Sequence, residues 1–74
     1  MGGINLQAIE GIRQVLGDQE KIQKLANGAH VEQQVIIDEL NLLLEVKEAQ
    51  AAGDVDRSKE AMRELIEFQK SYGL

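Results

Sequence analysis

Apolar positions recur at helical spacing along the whole chain, and glycine is the only residue that punctuates them. Between about Ile4 and Leu16, the residues Ala8, Ile9, Ile12, Val15 and Leu16 follow i, i+3, i+4, i+7 steps with Gln7, Glu10 and Gln14 opposite, which predicts an amphipathic helix. Gly11 inside it costs about 1 kcal/mol relative to alanine, tolerable if a neighbouring helix approaches closely there. A shorter helix is predicted from Asp18 to about Asn27, with Ile22, Leu25 and Ala26 inward, Glu20 four residues before Lys24, and Asn27-Gly28 as its stop. The third segment, about Val31 to Ala52, projects as two apolar arcs. Val31, Val35, Leu42, Val46 and Ala49 form one; Ile36, Ile37, Leu40, Leu43, Leu44 and Ala51 form the other. Gln34, Asp38, Asn41, Glu45 and Glu48 leave only a narrow polar strip, so this helix must be covered around most of its circumference. A final helix, from Asp54 or Asp56 to Tyr72, places Val55, Ala61, Met62, Leu65, Ile66, Phe68 and Tyr72 on one side.

Gly17-Asp18 and Gly53-Asp54 read as a helix stop followed by an N-cap, and they mark the corners. The short turn Ala51-Ala52-Gly53-Asp54-Val55 predicts that the last two helices form an antiparallel hairpin. With no proline or threonine and abundant Ala, Leu, Glu, Gln and Lys, nothing favours strands. The expected fold is therefore all-α, a single domain over residues 1–74, built as a three- or four-helix bundle. A chain of 74 residues buries only about 60% of its unfolded surface. Without cysteine no disulfide supplements so small a core, so oligomerisation, most simply a two-fold dimer, is expected to complete it. The arc least easily covered by the chain's own short helices, Val35, Leu42 and Val46, is the expected association face.

The segments Glu45-Val46-Lys47-Glu48-Ala49, Gly53-Asp54-Val55-Asp56 and Glu64-Leu65-Ile66-Glu67-Phe68 together resemble the UVR-type helical hairpin, an interaction module of nucleotide-excision-repair proteins. The resemblance covers about a third of the chain and implies a hairpin that binds other helices. Where that family carries paired alanines and a Leu-Arg step after the corner, this chain has Ser58-Lys59-Glu60-Ala61-Met62-Arg63. Repair activity is not carried over.

The inventory for chemistry is short. His30 is the sole imidazole, Ser58, Ser71 and Tyr72 are the hydroxyls, and there is no thiol, so no catalytic residue is assigned and the chain is not expected to be an enzyme. No cofactor is expected. His30 has no second ligand at metal-binding spacing, and Asp54 and Asp56 suit a helix start better than a calcium loop. The net charge of −5, and the lack of any Lys or Arg between Leu25 and Val46, argue against nucleic acid even though that stretch faintly follows helix-turn-helix spacing. No apolar run approaches a membrane span, no secretory signal is visible, and Leu6 stands where a myristoylation motif needs Ser or Thr, so a cytoplasmic protein is expected.

One basic feature is organised: Lys59, Arg63 and Lys70 line the last helix near Ile66, bordered by Asp56, Glu60 and Glu67. It reads as a solvated mixed-charge face or as a docking stripe for an acidic partner. In an oligomer such stripes, with Tyr72, could also converge on a small phosphate-bearing ligand. The function expected from sequence is non-catalytic, acting through protein–protein interaction as an assembly factor, adaptor or inhibitor of the kind phages and mobile elements carry. The expected partners are the chain itself and another protein. The alternatives are an oligomeric protein that sequesters a small molecule or nucleotide, and a structural or scaffolding subunit.

Overall fold

In the computed structural model the backbone is described for residues 2–74 and the side chains from residue 6 onward. Four helices account for nearly all of it: α1 (Gly2–Leu16), α2 (Gln19–Ala29), α3 (Gln33–Ala51) and α4 (Val55–Tyr72). Among the described residues there is no strand.

Local chemistry sets the corners. The Asp18 carboxylate accepts the backbone N–H groups of Glu20 and Lys21 at 3.1 and 3.3 Å, and the Asp54 carboxylate accepts that of Arg57 at 3.1 Å. Each satisfies amides that the first helical turn leaves without an internal partner. Gly53 precedes Asp54 in the left-handed region, at φ 73°, which a side chain would resist. α3 begins differently, because Glu32 occupies the cap position and its side chain caps nothing.

The stop expected at Asn27-Gly28 lies two residues further on. α2 runs to Ala29, and His30 takes the left-handed turn at φ 58°, ψ 44°. This register lets the Val31 N–H reach the Ala26 carbonyl at 3.1 Å and sets Val31 against Ile22, Ala26 and Ile36. A stop at Gly28 would have paired Ala29 with Lys24 in the same geometry, with no apolar closure. Burying Val31 wins over the conformational ease of glycine.

α3 touches each of the other helices, whereas α4 meets neither α1 nor α2. The Cα envelope measures 34 × 24 × 13 Å, so α1, α3 and α4 lie side by side in one layer, and α2 crosses only the first turns of α3. Gln19 on α2 bonds Gln33 at 3.2 Å, and Ile22 and Ala26 close over Ile36 with Val15, Ile37 and Leu40 around them. A second cluster joins α3 to α4 through Val46, Ala61 and Leu65, flanked by Leu42 and Leu43. Glu45 meets Arg57 at 3.7 Å near the corner, and Glu39 accepts from Gln69 at 3.1 Å further away.

A single layer shields little. Among the described residues Val46 is the one large side chain enclosed completely, and the radius of gyration is 12.6 Å where a compact domain of this length has about 11.3 Å. A methyl group at Gly11 would meet nothing within 4 Å, so no helix approach explains that glycine. Leu25, expected inward, is 48% exposed, because Ile22 and Ala26 already fill the contact of α2 with Ile36.

Candidate interaction face

The face expected to associate divides on folding. Val46 is fully enclosed under Ala61 and Leu65 of α4, and so cannot belong to an association surface of the folded chain. This corrects the sequence expectation: α4 itself covers that part of the arc. Val35 and Leu42 remain half-buried beside it.

The side of α4 expected to be apolar also divides. Ala61 and Leu65 are buried against α3 and Phe68 is half-buried, but Val55, Met62 and Ile66 are exposed by 62, 37 and 43%. At about 100° per residue these three fall within about 40° of one another around α4, and they span about 16 Å along it. Lys59, Lys70 and Arg63 follow within about the next 60°, so the apolar stripe carries a basic edge.

Gln50, Val55 and Lys59 share a shallow concavity of about 360 Å³ at the corner, which fixes which side of α3 adjoins this stripe. Reading back along that side from Gln50 gives Lys47, Leu43, Leu40 and Ile36, in alternating steps of three and four. α2 covers Ile36 and packs against Leu40. Leu43 and Lys47 lie beyond it and are half-buried, with α4 to one side of them. Helical geometry therefore places half-buried Leu43 beside the exposed row Val55, Met62 and Ile66, an apolar groove that opens at the corner concavity, with Leu43 as its floor and α4 as its wall.

The charges of the layer are sorted. Around the groove stand Lys47, Lys59, Lys70 and, at the edge, Arg63, none of them in an ion pair among the described residues. Asp54 is engaged in its cap and Glu39 with Gln69, while Asp56, Glu67 and Glu60 follow Arg63 further round α4, away from the apolar row. The reverse side of α3 presents Gln34, Asp38, Asn41 and Glu45, where Gln34 donates to Asp38 at 3.0 Å and Glu45 pairs with Arg57.

Other expected features are not gathered into one site. Lys59 and Tyr72 are thirteen residues apart, about 20 Å along α4 and on different sides of it, and Tyr72 instead packs against Phe68 with ring centroids 4.8 Å apart and planes tilted by 45°. Lys59 lines the corner concavity, whereas Arg63, Lys70 and Tyr72 do not. His30 is exposed and committed to its turn. Among the described residues no three His, Asp or Glu side chains gather as metal ligands, and no helix is long and apolar enough to cross a membrane. What sequence reasoning missed is the exposure of Met62 and Ile66. Its one available signal was the width of the α4 apolar arc, broader than contact with a single helix can cover.

No family model, curated protein or solved structure matches this chain. The resemblance to the UVR-type hairpin rests on the residues that carry it and on nothing else.

Proposed function

We propose that this protein is non-catalytic and acts by holding another protein against the groove formed by the antiparallel α3–α4 hairpin, as an assembly factor, adaptor or inhibitor in the cytoplasm. The observation that carries this reading is the groove itself: three exposed apolar side chains in register on α4, beside half-buried Leu43. Isolated exposed apolar residues are ordinary, but a contiguous row on one side of one helix marks an interaction surface.

A second reading, closure of the same groove by another copy, has an observation of its own. The accessible surface is 5157 Å², against about 4500 Å² for a compact monomer of 8.2 kDa. A dimer would bury part of that surplus. Two alternatives remain, a scaffolding subunit and an oligomer that sequesters a ligand; within one chain Lys59 and Tyr72 stand on different sides of α4, so the latter needs stripes of several subunits to meet.

A photoreactive amino acid placed at Met62, and separately at Asn41 on the polar side, tests the reading in cells. Adducts of a second polypeptide from position 62 and none from position 41 support it. Equal labelling from both positions, or none from either, rejects it, and an adduct of twice the chain mass identifies the second copy.

A further inference from the structure

We propose that the occupant of the groove is an amphipathic helix of another protein whose apolar stripe is bordered by carboxylates; this rests on the protein-binding reading above and names the chemistry of the partner.

The shape of the occupant follows from what the chain does with the same side of α3. Ile36 and Leu40, at its start, are covered by a short helix, α2, which inserts Ile22 and Ala26. Leu43, Lys47 and Gln50 continue that side beyond the reach of α2, which packs on Ile36, Ile37 and Leu40 at the start of α3. The wall Val55, Met62, Ile66 has spacings of seven and four, so it offers successive helical turns to a segment lying alongside. A helix of three to four turns matches its length of about 16 Å.

The charge of the occupant follows from the rim. In a chain of net charge −5, the ionic groups nearest this groove are cations, Lys47, Lys59, Lys70 and Arg63, and the carboxylates Asp56, Glu67 and Glu60 come only further round α4, on the side away from the apolar row. Carboxylates in a partner would meet them, and like charges would be rejected. The same rim disfavours a second copy. Two-fold stacking of identical grooves would bring both sets of cations to one interface and leave both acidic sides facing outward.

The test uses the whole chain and two synthetic helical peptides with the same leucine stripe, one flanked by glutamates and one by lysines, followed by amide NMR shifts. The expected result is that the glutamate peptide shifts Leu43, Val55, Met62 and Ile66, and that Lys59→Glu with Arg63→Glu weakens it by about tenfold. Raising salt from about 0.05 to 0.5 M weakens it in the same sense. Equal binding of both peptides at the groove would overturn the acidic partner while leaving protein binding intact. Shifts of those residues with protein concentration alone would put a second copy there instead. Binding of neither peptide, with no self-association, would overturn both readings.

Discussion

His30 offers a direct measure of how much conformational strain this fold carries, because it is the only non-glycine residue with positive φ among the described residues. An L-residue in the left-handed region carries roughly 1–2 kcal/mol against its Cβ, about 1.5 kcal/mol at the middle of that range. Glycine removes that cost but makes the unfolded chain more flexible, by about 0.5–1 kcal/mol. His30 is exposed, and among the described residues its imidazole has no ion-pair partner, so the turn is what the substitution changes. His30→Gly should therefore stabilise the protein by about 0.5–1 kcal/mol. At about 4–8 °C per kcal/mol for a domain of this size, the melting temperature should rise by about 2–8 °C, readable by far-UV circular dichroism. Gly53→Ala is the reciprocal control. A methyl there meets nothing within 4 Å, yet φ is 73°, so any destabilisation, expected at about 1 kcal/mol, comes from backbone strain alone. An unchanged or lowered melting temperature for His30→Gly would refute the reasoning and mean that the imidazole contributes something beyond its turn.

Gly11→Ala should stabilise α1 by about 1 kcal/mol, since the position is exposed and open; a loss in urea melts would mean that something approaches it closely. Glu32→Ser should add up to about 1 kcal/mol by giving α3 the side-chain cap it lacks, checked by the same melts. Val46→Ala should cost about 2 kcal/mol for two lost methyl groups and a residual cavity, seen as a lower urea midpoint with the slope unchanged. Val46→Asp should abolish folding, whereas Met62→Asp should keep the circular dichroism spectrum and lose binding to the glutamate-flanked peptide; a folded Val46→Asp protein would contradict the buried position.

Features that depend on a few neighbouring residues were legible in the sequence. Asp18 and Asp54 cap helices because their carboxylates need only reach amides two or three residues away, and both stand where glycine ends the preceding turn. The misplaced end of α2 shows the limit of local reading: Gly28 is the better left-handed residue, but Val31 has a place to go only if His30 turns instead. Burial is less legible still. The arcs of α3 were visible, but which arc α4 would cover depends on the rotation of one helix against the other, and a turn of about 100° would exchange Ala61 and Leu65 for Met62 and Ile66. The groove exists because that rotation is decided. Ala61 and Leu65 fit Val46 closely, and in turning toward α3 they carry Met62 and Ile66 away from it. A helix with a wider apolar arc than one neighbour can cover is then left with a second side to fill. The same rotation brings Lys59 and Lys70 to its border, so the surface left open and the charge that selects its occupant have a single structural cause.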